Sequence, residues 1–269
     1  MKKLAFSLLA GLLLLAACKS GPPPSGLTGT VNTDGSSSMA DVMSALQEAF
    51  REKEPGVTVN YSGTGSGAGV EAALSGACDI GLSSRRLKSS EKSKGAVAYV
   101  VALDAVAVVV HPSNPVRDLT VEQLAEIFAG KISNWQALGG PDAPVAVYGR
   151  EAGSGTRGAF EEAVGVVDRC VYTNVYGSTG DVIGNISANP NAIGYASLSS
   201  VRDGVAAVAV DGVACGEDTV RDGAYRLQRP FLMVASASRP LGEAAQAFLN
   251  FAQSEEAAAY ITRAGAIAP

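Results

Sequence analysis

Apolar residues follow two patterns that alternate along this chain, one with helical spacing and one with continuous apolar runs. Residues 39–50 place apolar side chains at positions 39, 42, 43, 46, 49 and 50, which predicts an amphipathic helix. Residues 97–110 are almost entirely apolar and rich in β-branched side chains, which predicts a strand covered on both faces. We predict further helices at 70–74, 121–128, 158–164 and 242–253, and strands at 145–148 and 231–234. This alternation favours an α/β architecture.

Turns rich in glycine and hydroxyl side chains lead into three of these helices, at residues 34–38, 61–69 and 149–157. A fourth cluster, residues 83–86, combines two serines with two arginines after a predicted strand end. The first N–H groups of a helix lack intrahelical partners and carry partial positive charge, so helix starts favour oxyanions. Any one of these segments is more commonly an ordinary turn. Four of them together predict a site for a small anion.

The segment 149–157 carries the strongest of these signals. Arg150 offers a planar fork of donors that suits tetrahedral oxyanions, and Ser154 stands in a glycine turn at the predicted helix start. The alternative is that Ser154 is only an N-cap and Arg150 a surface ion-pair partner. Arg157, one turn further, is predicted to be solvated or paired with Glu161.

The N-terminus predicts an exported protein. Residues 1–17 combine a short basic start with an apolar segment too short to span a membrane, so they are predicted to be a signal peptide. Residues 15–18, Leu-Ala-Ala-Cys, resemble a bacterial lipobox, which implies cleavage before Cys18 and lipidation of that cysteine. An uncleaved anchor or a plain secretory leader is the alternative. Residues 18–28 are predicted to be the lipidated cysteine and a flexible tether, because proline, glycine and serine dominate there.

Composition and charge limit the classes of partner that this protein is expected to bind. A chain of 269 residues with 47% hydrophobic content can bury a large core in one or two domains. The net charge of −5 becomes about −7 once Lys2 and Lys3 leave with the signal peptide, which argues against nucleic acid as a partner. It does not exclude a small anion, because remote surface carboxylates are screened beyond about 10 Å.

The sequence gives little support for a metal site, a cofactor or a disulfide. The spacing of Cys78, Cys170 and Cys215 fits no zinc pattern, and the single histidine, His111, precedes a proline, so we predict neither a metal site nor a cofactor. If one disulfide forms, Cys170 and Cys215 are the favoured pair because both lie in polar connecting segments. Cys78 is predicted to be a small core residue.

Catalytic motifs are also missing, so we predict a protein that is not an enzyme and has no catalytic residues. Ser66 and Ser154 do not fit a Gly-x-Ser-x-Gly elbow, since Thr64 and Ala152 stand where its first glycine belongs. Neither a Gly-Lys-Ser/Thr phosphate loop nor a Gly-x-Gly-x-x-Gly frame occurs in the turns. A surface hydrolase or phosphatase and an adhesin are kept as less favoured alternatives.

Taken in order, several motifs carry a family resemblance that covers almost the whole mature chain. They are residues 35–38, 65–69, 79–85, 119–124, 127–135, 150–157, 191–195 and 229–234. This combination resembles the substrate-binding lipoproteins of bacterial phosphate ABC transporters.

The resemblance implies a two-lobed, hinged periplasmic-binding-protein fold of the α/β class, with the lobes joined by two crossing strands. Lobe 1 is expected at 29–110 and 225–269, and lobe 2 at 111–224. It further implies a monomeric, lipid-anchored extracytoplasmic receptor that binds inorganic phosphate between the lobes and delivers it to an ABC permease. A receptor for another tetrahedral oxyanion, sulfate or molybdate, is the alternative.

Transfer from the family by motif gives the expected phosphate contacts: Ser36, Ser37, Ser38, Ser66, Ser84, Arg85, Arg150, Ser154, Gly155 and Thr156. The chain departs from some family members, which have aspartates at the positions of Ser84 and Ala152, the first of them accepting the proton of hydrogen phosphate. Asp34 and Asp181 are the candidates for a replacement acceptor, with ordinary turn or cap roles as the alternative.

Overall fold

The computed structural model describes residues 26–269, so the predicted signal peptide, Cys18 and most of the tether lie outside the described residues. The strands are β1 (Gly29–Gly35), β2 (Val57–Ser62), β3 (Ile80–Ser83), β4 (Ala96–Val110), β5 (Asp118–Leu119), β6 (Ala146–Arg150), β7 (Asn174–Tyr176), β8 (Ala192–Ser197), β9 (Ala206–Val210) and β10 (Gln228–Ser236). The helices are α1 (Ala40–Lys53), α2 (Ser66–Ser75), α3 (Ser89–Ser93), α4 (Val121–Phe128), α5 (Gly155–Val164), α6 (Thr179–Ser187), α7 (Glu217–Arg221), α8 (Glu243–Ala252) and α9 (Glu255–Arg263). Short 3₁₀ turns occur at Ser37–Met39, Trp135–Leu138 and Leu198–Ser200.

The strands form one continuous path in the order β2-β1-β3-β10-β4-β8-β6-β7, with β9 pairing β4 and β5. β1 is parallel to β2 and β3, whereas β10 runs antiparallel to β3 and β4. β8 is antiparallel to β4 and parallel to β6. The predicted α/β class is therefore confirmed.

Two hydrophobic cores define the two lobes. The core of lobe 1 packs α1, α8 and α9 against β1 and β3, with Phe50 beside Phe248. The core of lobe 2 packs α4 and α5 against β4 and β8, with Phe160 stacked on Tyr195. The two cores are therefore separate clusters of buried side chains.

Strand β4 runs through both lobes. Its first part pairs with β10 up to Ala105, and residues 106–110 pair with β8 and β9. Leu227 still packs in the lobe 2 core, and β10 begins at the next residue. Strand pairing and packing therefore change near Ala105 and Leu227, while the lobe bounds expected from sequence, 110/111 and 224/225, stay a prediction. An uninterrupted apolar strand offers no break to mark the first crossing.

Of the predictions for single helices and strands, some are confirmed and others are wrong. The helix at 121–128 is confirmed, and α5 begins at Gly155, three residues earlier than expected. The prediction that 97–110 is covered on both faces is wrong for its first half, where the Val97 and Val100 side chains are 37% and 43% exposed. Residues 96–105 pair with β10, and Leu103 also bridges to Ile267, whereas residues 106–110 pair with β8 and β9 and are fully buried.

Cys170 and Cys215, the favoured pair if one disulfide formed, are both free thiols. Both pack against the core of lobe 2, and burial raises the pKa of Cys170 to about 11 and of Cys215 to about 12. Neutral thiols of this kind serve as small apolar side chains. Cys78 is buried, as predicted.

Candidate functional site

Helix starts from both lobes meet at one place between them. Lobe 1 contributes the turn before α1 and the start of α2, and lobe 2 contributes the starts of α5 and α6. The Ser38 hydroxyl oxygen lies 2.6 Å from that of Thr156 and 3.1 Å from that of Thr179. One hydroxyl of lobe 1 therefore lies between two helix starts of lobe 2.

A second chain of buried hydroxyls continues into lobe 1. Ser36 Oγ donates to Ser84 Oγ at 2.8 Å, and Ser66 Oγ lies 3.4 Å from Ser84 Oγ and accepts the Ser84 N–H at 3.0 Å. Ser36 and Ser84 follow the carboxyl ends of the parallel strands β1 and β3, which share one edge of the sheet. Ligands bind at this edge in open α/β sheets.

Two glycines permit the close approach that this packing needs. A Cβ on Gly155 would lie 2.1 Å from Ser66 Oγ and 2.7 Å from Ser84 Oγ. A Cβ on Gly35, whose φ is +143°, would lie 2.1 Å from the carbonyl oxygen of Leu82. A side chain at Gly155 would push the two hydroxyls apart, so space requires glycine there, whereas at Gly35 both the space beside β3 and the positive φ require it.

Arg150, the last residue of β6, is the cation of the cluster and is only 2% exposed. Its guanidinium donates to Thr179 Oγ1 at 3.0 Å, to Ser37 Oγ at 3.1 Å, and to the carbonyl oxygens of Tyr176 and Gly177 at 3.1 and 2.7 Å. All these partners are neutral. Burial lowers the pKa of Arg150, yet an arginine stays charged in proteins. Between residues 26 and 269, no carboxylate forms a salt bridge with it.

The rest of the 149–157 segment holds α5 in place. Ser154 Oγ accepts the N–H of Arg157 at 3.3 Å, so its hydroxyl is the N-cap considered as the alternative. Arg157 pairs with Glu161 at 2.7 Å, as predicted, and also donates to the carbonyl oxygen of Arg150 at 3.2 Å. Across the lobes, Gly67 N–H donates to the carbonyl oxygen of Gly153 at 3.0 Å. These bonds fix the backbone on which Arg150 and Thr156 stand.

Arg85 does not join the cluster with its charge. Its guanidinium forms a two-pronged pair with Glu91, at 2.9 and 2.6 Å. Burial raises the pKa of Glu91, but hydrogen bonds from Arg85 and the Lys88 backbone together with both charges outweigh it, so the pKa lies below its ordinary value. Ser84, the residue before Arg85, is the member of this segment that reaches the hydroxyls. The expectation that Arg85 contacts the anion is therefore not supported by its placement.

Thr179 was missed in the sequence analysis, although a signal for it exists. Residues 177–180, Gly-Ser-Thr-Gly, precede an apolar helical pattern at 182, 183 and 186, as the turns at 34–38, 61–69 and 149–157 precede theirs. Thr179 is 2% exposed and bridges Ser38 and Arg150.

The two candidate acceptor carboxylates, Asp34 and Asp181, bond to residues outside the hydroxyl cluster. Asp34 accepts from Thr64 Oγ1 at 2.7 Å, and Asp181 accepts from the N–H and hydroxyl of Ser178 at 3.1 and 2.7 Å in a capping box. In the described part of the chain, the hydroxyls of the cluster bond to one another and to Arg150, with no carboxylate among their partners. The cap alternative accounts for Asp181, whereas Asp34 lies within β1 and holds the Thr64 hydroxyl, 30 residues further along the chain.

The arrangement can therefore hold a compact anion with hydroxyls, helix starts and one buried guanidinium. Residues 26–269 contain no group of three His, Cys, Asp or Glu side chains suited to a metal ion. Over the same residues, none of the helices is long and apolar enough to cross a bilayer.

Comparison with known proteins agrees with this geometry. A family model described as a PBP superfamily domain matches residues 20–256. Phosphate-binding protein PstS of Bacillus subtilis (strain 168) is 32% identical over 243 residues, covering 85% of this chain and 77% of the relative. The PstS of Pseudomonas aeruginosa is 29% identical over 272 residues, covering 90% and 84%.

Solved structures show the same architecture. A Clostridium perfringens protein whose crystal structure holds bound phosphate superposes with a TM-score of 0.87 at 40% identity, covering 90% of this chain and 100% of that one. An ABC-type phosphate transport receptor from Vibrio cholerae gives a TM-score of 0.74 at 34% identity, covering 89% and 100%. The two-lobed fold expected from sequence is confirmed by these matches.

Proposed function

The chain belongs to the PBP superfamily, and on that premise we propose that it is an extracytoplasmic receptor that binds inorganic phosphate between its lobes and delivers it to an ABC permease. The observation that carries the proposal is Arg150, a buried cation whose bonding partners are all neutral. Burying a charge costs free energy unless a counter-charge is present, and a bound anion supplies one.

The proposed contacts come from both lobes. Lobe 1 supplies hydroxyls of Ser36, Ser37, Ser38, Ser66 and Ser84, and lobe 2 supplies Arg150, Gly155, Thr156 and Thr179. Each hydrogen bond to a charged group contributes about 1.5–3 kcal/mol net. Several such bonds suffice for micromolar or tighter binding after the costs of ordering are subtracted. Because both lobes contribute, binding favours lobe closure.

The remaining parts of the proposal concern the setting. Lipidation of Cys18 would anchor the chain, and the tether up to residue 28 would let a monomeric receptor reach its permease. The site itself offers hydroxyls and a guanidinium but no histidine or carboxylate to act as acid or base, which supports a binding role over hydrolysis.

A second tetrahedral oxyanion, sulfate, stays a candidate because of a specific feature of the cluster. A carboxylate accepts a proton from hydrogen phosphate and repels sulfate, whereas a hydroxyl can donate to either anion. The hydroxyls of the described cluster have no carboxylate partner, so the structure supplies little means of excluding sulfate.

Calorimetric titration of the mature chain with phosphate, sulfate and molybdate tests the proposal. We expect micromolar or tighter phosphate binding, a smaller radius of gyration with phosphate, and thermal stabilisation of about 2.7 kcal/mol at a hundredfold excess over Kd. Binding of sulfate or molybdate alone would favour the other oxyanions. If phosphate causes no binding heat, no compaction and no shift in melting temperature, the proposal that the chain is a phosphate receptor is wrong. Release of product from a phosphomonoester would indicate an enzyme.

A further inference from the structure

A buried ion pair lies where the chain crosses between the lobes. Arg229 of β10 and Asp104 of β4 are register partners, 4% and 1% exposed. The Nη2 and Nε atoms of Arg229 lie 2.8 and 2.9 Å from the same oxygen, Oδ2 of Asp104. β4 is the strand that runs through both lobes, and β10 begins at the return crossing. The pair therefore stands at the hinge.

From the hinge the pair contacts both lobes. In lobe 1, Nη1 of Arg229 donates to the carbonyl oxygen of Ser84 at 3.3 Å. In lobe 2, Asp104 accepts from the Ser197 hydroxyl at 2.7 Å and from the Ser199 N–H at 3.4 Å. Ser197 ends β8 and begins the turn that follows. One ion pair thus joins a residue of the hydroxyl cluster to the end of a lobe 2 strand.

Stability alone is a weak explanation for this pair. Removing two charges from water is costly, and apolar residues of similar size commonly replace a buried ion pair without loss of stability. One side of the pair is already apolar, because the Arg229 guanidinium lies over the ring of Phe231 at 5.5 Å. What apolar residues could not reproduce is the set of directed bonds to Ser84, Ser197 and Ser199.

We propose that Asp104 and Arg229 are positioning residues for anion binding, which hold Ser84 in place and link it to lobe 2 through Ser197. The inference rests on the proposed function of the hydroxyl cluster. Arg229 fixes the backbone of Ser84, so the Ser84 hydroxyl stays 2.8 Å from that of Ser36. Asp104 holds Arg229 and the β8 end together, so the geometry of Ser84 depends on the relative position of the lobes.

A double-mutant cycle on phosphate affinity separates this role from general stability. Lysine at 229 keeps the charge beside Asp104 but lacks the fork that also reaches the Ser84 carbonyl. We expect Arg229→Lys to weaken phosphate binding about tenfold by calorimetry. In a Ser84→Ala background the same change should cost at most about twofold, because the hydroxyl that Arg229 positions is already gone.

Two controls bracket the cycle. Arg85→Lys alters a different, partly exposed ion pair, in which the guanidinium beside Ser84 is bonded to Glu91, and we expect phosphate affinity within about twofold of the parent. Arg229→Lys combined with Thr156→Val should be additive, since Thr156 makes no contact with Arg229. Ser197→Ala tests the lobe 2 end and should weaken binding by a few-fold.

A variant that lacks both charges at the hinge separates loss of phosphate binding from loss of folding. Asp104→Leu with Arg229→Met replaces the pair by apolar residues, and we expect a cooperative melting transition near that of the parent together with at least tenfold weaker phosphate binding. Parent-like affinity in this variant, or additivity of Arg229→Lys with Ser84→Ala, would overturn the inference. Should the apolar variant fail to fold, the lysine cycle decides. A parent that does not bind phosphate refutes the proposed function instead.

Discussion

Two arginine clusters look alike in sequence and differ in the folded protein. Arg85 and Arg150 each stand beside hydroxyl residues at the end of a strand, and both are buried, at 9% and 2% exposed. Arg85 turns away from the hydroxyls and forms a two-pronged bond with Glu91. Arg150 points into the hydroxyls, and its partners are carbonyl and hydroxyl oxygens. Among residues 26–269, no carboxylate is bonded to Arg150, whereas Glu91 is bonded to Arg85.

The cause of the difference is a local carboxylate. Glu91 lies in the first turn of the short helix α3 and accepts the Lys88 N–H at 2.7 Å, so helix capping already brings it beside Arg85. The segment that faces Arg150, between β7 and α6, offers carbonyls of residues 176 and 177 and the hydroxyl of Thr179. A cation beside hydroxyls therefore indicates an anion site only when no carboxylate is held within reach of it.

Removing each guanidinium tests this contrast most strongly. We expect Arg150→Ala to lose at least about 2 kcal/mol of phosphate binding, because a charge-assisted fork is lost in a buried site, and Arg150→Lys to recover only part of it. Arg85→Ala should leave phosphate affinity within about twofold, because its charge is held by Glu91. Calorimetry measures both affinities.

Melting temperature should show the opposite order. Arg85→Ala leaves Glu91 without its main partner and should destabilise the free protein by about 1 kcal/mol. Arg150→Ala removes a buried charge that has only neutral partners, so the free protein should lose less. Equal phosphate affinity of Arg150→Ala and the parent would remove Arg150 from the site and end the contrast.

Ser84 carries the next largest expected effect, since it is the residue of the Arg85 segment that does reach the hydroxyls. Ser84→Asp should raise the ratio of phosphate to sulfate affinity about tenfold, because a carboxylate repels the anion that has no proton to share. Competition titrations between pH 5 and 8 measure the ratio. Ser90→Asp, which places the same charge on the exposed surface of α3, serves as the control. An unchanged ratio in Ser84→Asp would place Ser84 outside the proton-sensing contacts.

Features that depend on neighbouring residues could be predicted from local sequence patterns. The α4 boundaries and the Arg157–Glu161 pair, four residues apart on α5, followed from helical spacing. The 34–38, 61–69 and 149–157 turns and Ser84 do meet, although the pattern itself could only say that each stood at a helix start or strand end.

What depends on distant parts of the chain could not be found in this way. The hinge pair joins Asp104 to Arg229, 125 residues apart, and neither lies in a pattern that predicts a partner. The cysteine pairing failed because polarity of the flanking segments says nothing of the distance between two thiols. Thr179 differs from these cases, because the glycine and hydroxyl pattern of the other turns is also present at residues 177–180.

The smallest expected effect concerns the Arg85 cluster and pH. The pKa of Glu91 is held below its ordinary value despite burial, by its bonds to Arg85 and the Lys88 backbone. A carboxyl with a lowered folded-state pKa contributes stability that is present above its unfolded pKa, about 4.3, and is lost as pH falls through the folded value.

Glu91→Gln should therefore flatten the decline of melting temperature between about pH 5 and pH 2, by the equivalent of about 1 kcal/mol or less, because the pair is partly exposed and screened. At pH 7 the variant should be the less stable of the two, and the difference should vanish in acid. Phosphate affinity at pH 7 should stay within about twofold, since the guanidinium of Arg85 does not face the hydroxyls. Identical acid profiles would mean that Glu91 does not hold Arg85 in solution. Arg85 would then be as available as Arg150, and the contrast between the two clusters would fail.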